Sequence, residues 1–137
     1  MSQENVELVR RSHEAFNRGV EALLSGGFLS PEFVWDLSPS GIPGLGVYRG
    51  HDEVRSFLED DWFQAFPFEE WELEVEELID HGEQVIVMTR QRGRGQTSGA
   101  GAELELASIF TLRDGQIVRV ETHLDREKAL EAAGLRE

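Results

Sequence analysis

The sequence predicts an α+β domain: a strongly curved, mostly antiparallel sheet wrapped around N-terminal helices, with a pocket inside. Two patterns carry this. Near the N-terminus, Val6, Val9, His13 and Phe16 fall close to an i, i+3, i+7 stripe, the mark of a helix with one apolar face. Later, Trp71, Leu73 and Val75 alternate with Glu72, Glu74 and Glu76, the mark of a strand with one wet face. Helices followed by a meander of long strands must cover one face of that sheet.

Taken in order, Ser2 can cap the first helix, and Asn17-Arg18-Gly19 ends it. Val20 to Leu24 reads as a second, short helix stopped by Gly26-Gly27. Pro31-Glu32 leads into a strand, Phe33-Val34-Trp35-Asp36, with Val34 and Asp36 on one face and Phe33 and Trp35 on the other. Ser40 to Gly46 is a loop by composition, and Val47-Tyr48-Arg49 is a short strand. From Asp52 the period is helical through Val54, Phe57, Leu58, Trp62 and Ala65, until Pro67 stops it. Asp80-His81-Gly82 is a turn, Val85 to Arg92 a strand, and Gly93 to Gly101 a glycine-rich connection. Leu104 to Leu112 and Ile117 to Leu124 are strands joined by the hairpin turn Arg113-Asp114-Gly115. Asp125 caps a closing helix with Ala129, Leu130 and Ala133 on its inner face.

At 137 residues, with no internal repeat or linker, the chain reads as one domain over residues 1–137. A net charge of −14 argues against nucleic acid and anionic membranes as partners, because both need a basic surface. The absence of cysteine excludes disulfides, thiolate metal sites and cysteine nucleophiles. No apolar run approaches a membrane span and no signal peptide is evident, so a cytoplasmic protein is expected. The four histidines, His13, His51, His81 and His123, are scattered, so neither a metal nor a cofactor is expected. His13 reads as a structurally satisfied or partly buried histidine, with catalysis the lesser alternative. His51, at a helix start, reads as exposed, His81 as part of a turn, and His123 as facing away from the pocket.

Asp36 is the candidate chemical centre, because it ends an apolar strand before Leu37-Ser38-Pro39. Beside an apolar cavity its pKa would rise toward a range useful for proton transfer. The bland reading is that it caps the turn at Ser38-Pro39. Arg90 also has two readings. A two-residue loop at Asp80-His81-Gly82 puts it opposite Leu73, inside, where it would anchor a carboxylate or enolate. A three-residue loop with a bulge puts it opposite Glu72, in a surface ion pair with its neighbour Arg92 alongside.

The element order, with Phe33-Val34-Trp35-Asp36, Tyr48-Arg49-Gly50-His51, Leu112 to Val120 and the tail Asp125 to Gly134, resembles the SnoaL-like branch of the nuclear transport factor 2-like superfamily. That resemblance covers nearly the whole chain. It implies a cone-shaped α+β fold, usually homodimeric, here through the outer sheet face, around a cavity for a small hydrophobic molecule. Members include polyketide cyclases, ketosteroid isomerases, hydrolases and proteins without known activity. The resemblance places Asp36 at the isomerase general-base position, and Ser12 and Ser108 at the two oxyanion positions. It implies a lining that includes Val34, Tyr48, Trp62 and Phe66, with Leu106, Phe110 and Val120 on the later strands. Two functions are expected. One is a cofactor-free isomerase, cyclase or hydrolase-type enzyme with Asp36 as general acid/base and Ser108 assisting, acting on a hydrophobic carbonyl compound. The other is a dimeric ligand-binding or accessory module without chemistry.

Overall fold

In the computed structural model, which describes residues 2–65, 71–94 and 101–134, helix α1 (Ser2–Arg18) and helix α2 (Val20–Ser25) lead the chain. Strand β1 (Leu29–Asp36) follows, then a single turn at Ser38–Ser40 and the short strand β2 (Val47–Arg49). Helix α3 (Gly50–Ser56) widens into a π-helical stretch, Phe57–Trp62, before the short helix α4 (Phe63–Ala65). Strands β3 (Glu72–His81), β4 (Gln84–Arg94), β5 (Gly101–Arg113) and β6 (Gln116–His123) come next, and α5 (Arg126–Ala132) closes the described chain.

The six strands form one sheet in the order β2-β1-β6-β5-β4-β3. All pairings are antiparallel except β1 with β6, because the chain crosses back between them. β2 and β3 remain as edges, so the sheet does not close into a barrel. The α+β architecture with N-terminal helices and a mostly antiparallel sheet is the one the sequence predicts.

Local chemistry explains the turns. Asp114 and Gly115 both have positive φ, 52° and 76°, which two-residue turns of type I′ require. Asp tolerates that conformation and Gly suffers no Cβ clash, so Arg113 pairs directly with Gln116. Between β3 and β4, His81 pairs with Gln84 across Gly82-Glu83, one residue later than the predicted turn. Arg49 donates its backbone N–H to Glu53 (2.8 Å), holding the entry to α3. The sequence places that helix's start at Asp52; the structure starts it at Gly50.

Two apolar layers result. Val85 and Val87 on β4, Phe110 and Leu112 on β5, and Ile117 and Val120 on β6 face inward, against Val9, Phe33, Val54 and Phe57. On the other face, Ile86, Met88, Ala107 and Ile109 pack under Ala129 and Ala133 of α5. Strict alternation along β4 thus feeds both layers. The rest of the outer face carries an Arg–Glu ladder built on Arg90 and Arg92 of β4 and on Arg126, the first residue of α5. Among the described residues, no helix is long and apolar enough to cross a membrane.

Asp125 holds the start of α5, its carboxylate accepting the backbone N–H groups of Glu127 (2.9 Å) and Lys128 (3.4 Å). Asp125→Ala should cost about 1 kcal/mol in urea unfolding, and Asp125→Asn much less. Equal stability of all three proteins would show that the cap is not needed.

Candidate functional site

The inner face of the sheet, α1 and the α3–α4 segment enclose a cavity of about 110 Å³. A cavity of roughly 150 Å³ takes up benzene, so this one has room for about one ring, and because it is partly open a second fused ring can reach beyond it. Its walls are mostly apolar: Phe33 and Trp35 from β1, Leu37 just after it, Phe57, Leu58 and Trp62 from the widened helix, and Leu106, Phe110 and Val120 from the sheet. The π-helical stretch adds breadth to the helix and sets Phe57 and Trp62 toward the cavity, their rings 6.2 Å apart.

The polar groups on this wall are neutral. Trp35 donates its indole N–H to the Thr122 hydroxyl (3.1 Å), which shares a hydrogen bond of 3.0 Å with the Ser108 hydroxyl. Two hydroxyls joined by one bond leave one O–H over, whichever of them donates. Ser12, 3 % exposed, spends its proton on the Val9 carbonyl (2.7 Å). Thr89 and Gln91 line the wall from β4. Among the described lining residues there is no carboxylate, lysine or arginine.

His13 is the one titratable side chain with an acid–base range near neutrality on this described wall. The turn of α1 that carries it brings its Nδ1 within 2.9 Å of the Val9 carbonyl. A carbonyl only accepts, so Nδ1 carries the proton and Nε2 keeps a lone pair. The ring leans on Phe110, with centroids 5.2 Å apart. Burial pushes its pKa below the ordinary histidine value, although the bond to Val9 acts in the opposite direction. The imidazole is therefore neutral at neutral pH and offers Nε2 as a base.

Asp36 does not line the cavity. β1 runs beside β6 with Trp35 opposite Val120 and Asp36 opposite Glu121. Because successive side chains alternate, Trp35 and Leu37 point in and Asp36 lies on the opposite face. Its carboxylate is occupied there. One oxygen accepts the Ser38 backbone N–H (3.0 Å) and hydroxyl (2.6 Å), and the other accepts Arg119 (3.0 Å). Partial burial would raise its pKa, but the Ser38 bonds and the Arg119 guanidinium outweigh that and hold it below the usual carboxylate value. That is the opposite of the shift a general base here would need.

The other expected site residues divide. Ser12, Trp62, Ser108, Leu106, Phe110 and Val120 do line the cavity. Val34 shares the outer face of β1 with Asp36 and does not. Tyr48 lies behind the wall, stacked on Phe57 with centroids 4.4 Å apart. Phe66 lies outside the described residues. Arg90 is on the outer face, paired with Glu76 (3.1 Å) and Glu105 (3.0 Å). The later turn alone would set Arg90 opposite Val75, and a bulge between Val75 and Glu77 moves it opposite Glu74, neither Leu73 nor Glu72. His51 is half-buried rather than exposed, its Nε2 3.2 Å from the Leu29 and Ser30 carbonyls. His123 faces outward against Glu121 (2.7 Å).

Asp36 therefore bears on stability. Its folded pKa is depressed, so its contribution is complete above the unfolded value near pH 4 and drains away as pH falls through the folded value. Asp36→Asn should be less stable than wild type at about pH 7, with the gap narrowing toward about pH 3. A gap in urea unfolding that stays constant across that range would contradict this reading.

Comparison with known proteins agrees with this architecture. A protein described as NTF2-like and of unknown function, from Burkholderia pseudomallei, is 29% identical over 96% of this chain and 97% of its own, with a TM-score of 0.73. TerC, crystallised with polyporic acid, is 26% identical over 96% and 98%, with a TM-score of 0.74. A putative SnoaL-like polyketide cyclase from Jannaschia sp. CCS1 is 21% identical over 100% and 96%, also at 0.74, a likeness of fold. No curated protein matches the chain. The SnoaL-like domain family matches residues 9–120, and with the fold above this chain belongs to it.

Proposed function

We propose that the cavity binds an uncharged, largely apolar carbonyl compound and that His13, rather than Asp36, performs any proton transfer on it. The observation that carries this is a cavity wall, among the described residues, with no charged side chain and one neutral, partly buried imidazole. A ligand carboxylate entering without a partner would lose its hydration at a cost of several kcal/mol, so a neutral ligand is favoured. The solved structure of TerC with polyporic acid supports a small organic ligand in this fold.

The chemistry on offer is enolisation. His13 Nε2 takes a proton from the carbon beside the carbonyl and becomes imidazolium. The C–H electron pair forms the new C=C bond, and the carbonyl electrons pass to oxygen. The spare hydroxyl of the Ser108–Thr122 pair donates to that oxygen. Phe110, which His13 touches, lies two residues along β5 from Ser108, so base and donor stand on neighbouring parts of one wall. Return of the proton, to the same or another carbon, completes the exchange or isomerisation.

A second reading, binding without chemistry, is favoured by the absence of a second acid among the described lining residues. β-Tetralone in D₂O separates the two. Acid–base function predicts that wild-type protein speeds exchange of its α-protons. His13→Asn, which keeps a donor near the Nδ1 position and loses Nε2, should lower that rate by about a hundredfold or more with affinity nearly unchanged. Binding without accelerated exchange would leave the binding module alone. Exchange that survives in His13→Asn and is lost in Asp36→Asn would reverse the assignment.

A further inference from the structure

The cavity's hydroxyls and amide are not equally satisfied. Ser12 is bonded to Val9, and Ser108, Thr122 and Trp35 are bonded to one another. Thr89 is only 4 % exposed, yet no protein partner to its hydroxyl is seen among the described residues. Gln91, the next inward-facing residue on β4, likewise presents an amide to the cavity without such a partner. The Thr89 hydroxyl oxygen is open to the cavity rather than sealed in the core, so covering it with an apolar group would leave it unbonded at a cost of about 1–3 kcal/mol. Valine at position 89 would fill the same space without that cost, as Val85 and Val87 do on the same face.

Register places these groups. Val87 lies opposite Ser108, Thr89 opposite Leu106 and Gln91 opposite Leu104. Thr89 is thus two residues along the strand and one strand across from Ser108, roughly 8 Å between Cα atoms from standard sheet spacings. His13 touches Phe110, on the far side of Ser108. The polar groups form a line: His13, then Ser108 with Thr122, then Thr89, then Gln91. Apolar Leu106 and Leu104 stand beside the last two.

We infer that the ligand carries a second, uncharged hydrogen-bonding group at the end opposite its carbonyl, and that Thr89 and Gln91 read it. This rests on the cavity being the binding site proposed above, and it narrows the ligand class to flat apolar molecules that are polar at both ends. The second group is a hydroxyl, ketone or amide, because no charged side chain among the described lining residues stands ready to pair with an ion. A hydroxyl suits the pair best: Thr89 can donate or accept, and Gln91 offers both an N–H donor and a carbonyl acceptor.

Isothermal titration with β-tetralone and 6-hydroxy-β-tetralone tests this on the intact protein. Wild type should bind the hydroxylated ketone about three- to tenfold more tightly. Thr89→Val, which preserves shape in a strand, should bring that ratio close to unity while tightening β-tetralone itself, since no hydroxyl is then left dry under the bare ring. Gln91→Leu should reduce the ratio in the same direction. Equal affinity of wild type for the two ketones, or a preference that survives in Thr89→Val, overturns the inference and leaves the binding site standing. Failure of both ketones to bind overturns the site and the inference together.

Discussion

The parallel pairing of β1 with β6 decides what this cavity is. It sets Trp35 opposite Val120, so that the indole reaches Thr122 and, through it, Ser108. That hydrogen-bonded chain ties β1, β6 and β5 together on the inner face. The same register sends Asp36 to the outside, into the Ser38 bonds and the Arg119 ion pair. In a sheet with period-two side chains, a slip of one residue would exchange the two faces. An indole and a leucine would then give way to a carboxylate, and the cavity would become a charged site.

Desolvation follows from that arrangement. With the acids and arginines turned outward, the described inner wall offers hydroxyls, amides, rings and one imidazole. Burial keeps the imidazole neutral, and the Val9 carbonyl fixes which nitrogen carries its proton. The excess negative charge of the chain, −14 overall, thus sits where water can screen it. On the outer face part of it is organised around Arg90 and Arg92, each contacting more than one glutamate.

Most of the fold was legible from periodicity and turn chemistry. The Asp114-Gly115 turn, the alternation of β3 and the apolar stripe of α1 each have a local cause that a sequence displays. What was not legible depends on one residue of register. The alternation of Phe33, Val34, Trp35 and Asp36 was clear, yet which pair faces inward is settled by the partner strand. Arg90 is a similar case, because a bulge near Glu76 has no local composition signal and changes every pairing beyond it. The π-helical widening at Phe57–Trp62 is equally silent in a helical pattern. His13 did carry a signal: it lies on the inner stripe with Val9 and Phe16. A histidine there reads as core, and only the cavity beside it gives the ring something to act on. Thr89 and Gln91 share the inward phase of Val85 and Val87, a signal visible once that phase is known.

The central claim is that the cavity's acid–base group is a neutral His13 protonated at Nδ1. Titration of ¹⁵N-histidine-labelled protein by NMR tests it most directly. The account predicts an Nδ1–H tautomer for His13, a midpoint below the ordinary value of 6.5, and a shift of the Nε2 resonance when β-tetralone is added. An Nε2–H tautomer, a midpoint at or above that value, or a ring indifferent to a ligand shown to bind would contradict it.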